Sequence, residues 1–209
     1  IQAILARFKG FPSVVQVGTL DDNKNQLFTL RCIEEIRRYV PEVRLLLLGD
    51  GMNRQRIRDR ISCGGLDRQV IMTGQLSRMD CLYLMSQANL LVLTSQSESF
   101  PNVLLEGQAL SLPVVTFDAG ASSEIVEHGV TGYVVPPADE NGFKDAVIRL
   151  LTDPTTAVSM GHNGKSRVLE AFNMDNKVKR FLALIEKDLR HVDILSGKVL
   201  INEHIVSEP

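Results

Sequence analysis

Six short apolar runs constrain this chain more than anything else in it. They are SVVQVG (13–18), VRLLLLG (43–49), QVIMTG (69–74), NLLVLTS (89–95), LPVVTF (112–117) and TGYVVP (131–136). Most are apolar on successive residues and do not alternate. A strand with one wet face alternates, whereas a strand covered on both faces does not, which is the habit of parallel sheets. Amphipathic stretches at 24–39, 52–63, 77–87, 101–110, 121–127 and 139–151 separate the runs and predict helices. Strand and helix in strict alternation imply right-handed crossovers and a single parallel sheet. The expectation is an α/β fold: a Rossmann-like parallel sheet of about six strands with helices on both faces. From Asp153 onward the pattern turns helical, through TTAVSMGHNGKSRVLEAF and MDNKVKRFLALIEKDLR, which predicts a helical C-terminal extension. The closing HVDILSGKVLINEHIVSEP reads as a short strand or a loosely held tail. The expected organisation is therefore a linker or remnant of a preceding N-terminal domain at 1–12, the α/β domain at 13–190, and a tail at 191–209.

With 209 residues, 44% of them hydrophobic, the chain is long enough to bury a sizeable core. Its net charge of −2 is spread without a run of like charge, so neither a nucleic-acid footprint nor a polybasic membrane strip is read from it. VRLLLLG is too short to span a bilayer, and no stretch resembles a signal peptide. Cys32, Cys63 and Cys81 are odd in number and lack CxxC or Cys/His spacing, so they read as reduced thiols; a cytoplasmic location is expected. The chain begins at Ile1, which suggests a piece of a longer protein.

In open α/β sheets ligands bind beyond the carboxyl ends of the strands. Here those turns read GTLDDNKN, GDGMNR, GQLSR, SQSESFPN and DAGASSE, rich in glycine, carboxylates and hydroxyls. Such turns suit a ligand bearing phosphate and ribose, although any fold of this class uses the same residues for capping. One segment is more pointed: SQSESFPNVLLEGQALSLPVV, from Ser95 to Val115, carries Glu98 and Glu106 on either side of Phe-Pro-Asn. On an unbroken helix the two carboxylates would stand about 12 Å apart along the axis and roughly 80° apart around it. Pro101 argues against that, because proline is tolerated only in a helix's first turn. The helix is predicted to start near Pro101, leaving Glu98 in the preceding loop. The amides of Asn102, Val103 and Leu104 then lack helical partners, and Phe100 has no side-chain oxygen to cap them. A diphosphate would satisfy those amides and the positive end of the helix dipole. Glu106, one turn further in, can accept from ribose hydroxyls, and Glu98 from hydroxyls of a sugar beyond the diphosphate. The plainer reading makes Ser97 or Ser99 a cap and both glutamates ordinary surface groups.

ESFPNVLLEGQA followed by LPVV resembles the E-x7-E segment of the family 4 retaining glycosyltransferases. GASSEIVEHGVTGYVVPPAD (120–139) is similar to the segment that follows it there, and VGTLDDNKN (17–25) to the family's phosphate-loop opening. LLLLGDG (45–51) and IMTGQL (71–76) fall between them in the expected order. The resemblance covers about residues 13 to 190 and corresponds to the C-terminal, donor-binding half of the two-domain GT-B architecture. It implies a hexosyltransferase-type enzyme that takes a nucleoside-diphosphate sugar, a UDP-sugar by preference, and uses no metal and no further cofactor. Carried over by position, it implies that Glu106 binds ribose and that Glu98 meets the hydroxyls of the donor sugar. Phe100, Pro101, Asn102, Val103 and Leu104 would run along sugar and diphosphate. Lys24 would neutralise the diphosphate beside Gly18 and Thr19, and Gly49, Gln75 and Leu76 would frame the base. Glu98 and Lys24 are thus the expected catalytic residues, Glu98 by positioning and not as a covalent nucleophile. The acceptor, a saccharide or glycolipid in polysaccharide or glycolipid assembly, would sit on the missing N-terminal domain, and peripheral membrane association of the full-length protein follows as an expectation. One departure stands out: the family commonly has Gly-Arg-Leu where this chain has Gly18-Thr19-Leu20. Threonine cannot supply a second cation, so Arg54 and Arg78 are candidate substitutes.

Asp21, Asp22 and Asp50 read as helix caps, not metal ligands. His128 reads as a structural imidazole at a helix end. His162, His191 and His204 have no triad partners nearby. The alternative to an enzyme is a glycosyltransferase-like assembly module that has lost catalysis, a reading that Thr19 and the unusual tail favour. An epimerase of similar architecture would show motifs that are not apparent here.

Overall fold

Val14, Leu45, Leu47, Leu90, Val92, Val115 and Phe117, one or more from each of four apolar runs, are buried together in the centre of the molecule. The computed structural model, which describes residues 1–172, arranges these runs as the expected parallel sheet. Its strands are β1 (Ser13–Val17), β2 (Arg44–Leu48), β3 (Val70–Gly74), β4 (Leu90–Leu93), β5 (Val114–Phe117) and β6 (Gly132–Val135). They lie in the order β3-β2-β1-β4-β5-β6, every neighbouring pair parallel. Val14 pairs with Leu45 on one side and Leu90 on the other, so β1 and β4 form the middle of the sheet. Strands after β1 are laid down to one side and strands after β4 to the other. The reversal between β1 and β4 opens a crevice at their carboxyl ends, the position where such sheets take ligands.

Helices cover both faces because the strands are apolar on both. On one side α2 (Gln26–Ile36) packs against α3 (Arg54–Cys63) and α7 (Glu140–Thr152). There Phe28, Phe117 and Phe143 meet edge to face, with centroids 4.9 to 6.1 Å apart, a geometry that adds to plain burial. On the other side lie α4 (Arg78–Ser86), α5 (Asn102–Ala109) and the short α6 (Ser122–Ile125). Helix α5 comes so close to β4 that a Cβ at Gly107 would fall 2.4 Å from the Leu91 side chain. Gln2–Phe8, inside the stretch read as linker, forms α1 with Leu5 and Phe8 buried.

The predicted helical extension begins as α8 (Pro154–Ala171), started by Asp153, whose carboxylate accepts from the Thr156 amide at 3.1 Å and hydroxyl at 2.6 Å. Ile1–Val168 is one compact unit, and a second starts at Leu169. The stretch MDNKVKRFLALIEKDLR, the tail at 191–209, His191 and His204 lie outside the described residues. Among the described residues no helix is long and apolar enough to cross a membrane.

Candidate functional site

The loop after β1 is built around Lys24. Its amide donates to Asp21 at 2.8 Å, and its carbonyl accepts from Gln16 Nε2 at 2.8 Å and from Thr94 Oγ1 at 3.1 Å. Gln16 and Thr94 are buried polar residues on β1 and just after β4, so the loop is tied to both central strands. Asn25, in the left-handed region at φ 56, ends the loop and delays α2 until Gln26. The Lys24 stem lies across Gly18, whose notional Cβ would sit 3.2 Å from Cε. Its ammonium reaches Glu98 Oε1 at 2.5 Å, with side-chain exposures of 22% and 12%.

The loop after β4 is held by its neighbours. Asn23 accepts from the Ser97 amide and donates to the Ser97 carbonyl, both at 3.0 Å, while the Asn23 carbonyl accepts from the Gln96 amide at 2.9 Å. Pro101 then occupies the N-cap of α5, and among the described residues no side chain caps that helix, Ser97 and Ser99 included. The amides of Asn102 and Val103 make no hydrogen bond among the described residues, as the sequence predicts. The Leu104 amide differs: it closes onto the Pro101 carbonyl at 3.0 Å. A tight first turn satisfies that donor, so two free amides remain where three were expected, and the Leu104 side chain is fully buried. Asn102 and Phe100 are exposed, Phe100 to 42%.

A cavity of about 420 Å³ opens at the carboxyl ends of β1, β2 and β3. Gly18, Thr19, Gly49, Gln75, Leu76 and Glu106, from four separate stretches of sequence, all line it. Gly49 is there because the backbones nearly touch: a Cβ on it would lie 2.1 Å from the Gly18 carbonyl oxygen. Val17, Leu48, Asp50, Arg78, Cys81 and Leu82 complete the wall. Cys81, a reduced thiol by its sequence, is thus part of the cavity wall. Burial pushes it above its ordinary value, and the nearby Glu106 carboxylate pushes in the same direction. A larger cavity of about 550 Å³ lies at the opposite end of the sheet, around Phe11, Asn89 and Pro113. None of the expected site residues lines it, although Leu112 and Pro113 of the LPVV stretch do, so the smaller cavity is the candidate site.

Of the two arginines considered as substitutes for a cation at Thr19, the structure brings only Arg78 to the cavity wall, where its guanidinium donates to Glu106 at 2.9 Å. Arg54 is engaged with Asp50 at 2.6 Å. The three aspartates do not cap helices. Asp21 closes the Lys24 turn, Asp22 accepts from Asn53 and Arg56, and Asp50 accepts from Gly51 and Arg54. Helices α2 and α3 start later than their amphipathic pattern, behind Asn25 and Asn53, neither of which makes a side-chain cap. His128 is structural, though through β6 and not a helix end: its Nδ1 lies 2.8 Å from the Val134 carbonyl.

Residues 1–167 match the model of the family described as glycosyl transferases group 1. The alpha-D-kanosaminyltransferase of Streptomyces kanamyceticus is 32% identical over 152 residues, which is 73% of this chain and 39% of that protein. The N-acetyl-alpha-D-glucosaminyl L-malate synthase of Bacillus anthracis is 31% identical over 169 residues, 80% of this chain and 43% of that protein. The chain thus spans less than half the length of either relative. HepE of Anabaena, crystallised in complex with UDP, superposes with a TM-score of 0.79 at 22% identity, over 89% of this chain and 51% of that one. At that identity the likeness is one of fold. The family match runs through all six strands and both glutamates of the Ser95–Val115 segment, and the chain belongs to the group 1 glycosyl transferases.

Proposed function

We propose that this chain is the donor-binding domain of a retaining glycosyltransferase that takes a nucleoside-diphosphate sugar, a UDP-sugar by preference. The observation that carries the reading is one cavity lined by Gly18, Thr19, Gly49, Gln75, Leu76 and Glu106, with Lys24, Glu98 and the uncapped start of α5 at the neighbouring loops. In this reading the base lies between the turns at Gly49 and Gln75–Leu76, and Glu106 accepts from the ribose. The diphosphate meets Lys24 and the amides of Asn102 and Val103, and the sugar lies by Glu98. Loss of a diphosphate from the anomeric carbon builds charge on the leaving group, so the work of the site is to stabilise that charge. An ammonium and a helix start supply it without any protein nucleophile, and the resemblance favours front-face attack assisted by the departing phosphate oxygen. We read no metal and no further cofactor into the site. That HepE was crystallised with UDP supports the choice of base.

The acceptor, a saccharide or glycolipid of polysaccharide or glycolipid assembly, would be held by a preceding domain, in a cytoplasmic protein with peripheral membrane association. Half of a cleft excludes little water and cannot orient an acceptor, so the 209-residue chain alone should bind nucleotide weakly and transfer almost nothing. Calorimetry with UDP, GDP and ADP tests this: binding that disappears in Glu106→Ala supports the reading, and no binding to the native chain refutes it. The second reading, an assembly module without catalysis, is favoured by Thr19 at the cavity wall where the family commonly has arginine; it predicts no nucleotide binding.

A further inference from the structure

Lys24 and Glu98 belong to loops that leave the two central strands, so their ion pair spans the crevice where the sheet's order reverses. Each loop is anchored independently of that pair. Asp21, Gln16 and Thr94 hold the Lys24 backbone, and Asn23 holds residues 96 and 97. Gly120 lies so close beneath Glu98 that a Cβ there would sit 1.5 Å from the Glu98 carbonyl oxygen. Exchanging the partner of either side chain therefore needs only the side-chain tips to move. A carboxylate oxygen on an ammonium also occupies the place a phosphate oxygen would take, since both are charged acceptors of one N–H.

Resting on the reading above, in which a nucleoside-diphosphate sugar meets these loops, we propose that Glu98 is a surrogate for the diphosphate on Lys24, and that donor binding is an anion exchange. The phosphate oxygens take the ammonium, and the displaced carboxylate accepts from hydroxyls of the donor sugar. A spent nucleoside diphosphate displaces Glu98 and offers it nothing, whereas an intact nucleotide-sugar supplies new donors to the carboxylate it displaces. The pair thus discriminates donor from product. After transfer, Glu98 returning to Lys24 helps to expel the nucleotide.

Calorimetry of the native chain and of Glu98→Gln with UDP, GDP, ADP and UDP-glucose tests the exchange. Glu98→Gln should bind the nucleoside diphosphate roughly fivefold more tightly, the size of one ion pair near the surface, and should lose preference for the nucleotide-sugar over the nucleoside diphosphate. Should that variant fail to fold by circular dichroism, Glu98→Asp, one methylene short of the ammonium, carries the same expectation. In a Lys24→Met background the gain should vanish; a gain that persists there is simple relief of repulsion and overturns the exchange. Unchanged or weaker binding by the Glu98 variants overturns it too, while leaving the donor-site reading standing. If neither the native chain nor any variant binds a nucleotide, the donor-site reading itself falls.

Discussion

Gly120→Ala tests whether the position of Glu98 is built into the backbone. Gly120 has φ +58, and its notional Cβ lies 1.5 Å from the Glu98 carbonyl oxygen and 2.7 Å from its carbonyl carbon. Carbon settles against neighbouring atoms at about 3.5 Å, so the Glu98 peptide must retreat by about 2 Å. A left-handed backbone costs an L-residue about 1–2 kcal/mol, and forced overpacking about 1–3 kcal/mol more. The sum, about 2–5 kcal/mol, corresponds to a melting temperature lower by about 4–20 °C for a chain of this size. Gly65 separates the two contributions: its φ is +59, and nothing lies within 4 Å of its notional Cβ. Gly65→Ala should therefore show the backbone cost alone, about 1–2 kcal/mol or about 2–8 °C. Thermal unfolding of both variants, read by circular dichroism, gives the difference. Calorimetry on the folded Gly120→Ala variant should show a lost preference for the nucleotide-sugar over the nucleoside diphosphate, because the Glu98 carboxylate no longer reaches Lys24 or a sugar beside it. If Gly120→Ala melts together with Gly65→Ala, the close approach is refuted as the support of the Glu98 loop.

Asp153→Ala should lower the melting temperature at neutral pH by removing both bonds that start α8. The Thr156 hydroxyl and amide hold the Asp153 carboxyl below its ordinary value. Its contribution is thus complete above the unfolded value of about 4 and fades as pH falls through the lower folded one; native and variant melting curves should converge in acid. Among the cysteines, burial pushes Cys32 up to about 12, whereas Cys63 is exposed. A thiol reagent near pH 8 should label Cys63 first and Cys32 only on unfolding; rapid labelling of Cys32, read by mass spectrometry, would contradict the packing. Arg78→Ala should leave stability within about 0.5 kcal/mol, because exposed ion pairs contribute little and Arg78 is 78% exposed. A larger loss in chemical denaturation would show that Arg78 supports the fold as well as the cavity wall.

The parallel sheet was legible because continuous apolarity reports cover on both faces, and β2, reading Leu-Leu-Leu-Leu after Arg44, is the clearest case. Strand order was not legible, since local periodicity says nothing of which strands become neighbours; the crevice between β1 and β4 appears only in the pairing of Val14 with Leu90. The uncapped start of α5 could be read from Pro101 and Phe100. The capture of the Leu104 amide by Pro101 could not, because it depends on how tightly the first turn winds. The cap reading of Asp21, Asp22 and Asp50 failed because α2 and α3 each begin two residues after the amphipathic pattern does, at Gln26 and Arg54. The carboxylates are left in turns, where arginines, amides and a carboxamide reach them. No spacing rule links Lys24 to Glu98, 74 positions away.

The arrangement of cations also bears on Thr19. Arg54 is committed to Asp50 within its own turn of chain, an i,i+4 pair at 2.6 Å. Arg78 reaches the cavity but is bonded to Glu106, so its charge is balanced on the ribose side of the proposed site. Neither guanidinium therefore stands beside Lys24, and among the described residues one ammonium with two helix-start amides would face the diphosphate of the proposed donor. A helix start contributes about half a charge, so a doubly charged leaving group is met by less than its own charge. Restoring the family pattern is then a direct test. Thr19→Arg puts a guanidinium at a position already lining the cavity, and it should tighten UDP binding with a steeper dependence on salt. If Thr19→Arg folds and leaves both affinity and salt dependence unchanged, the phosphates do not lie beside residue 19, and the orientation proposed for the donor is wrong.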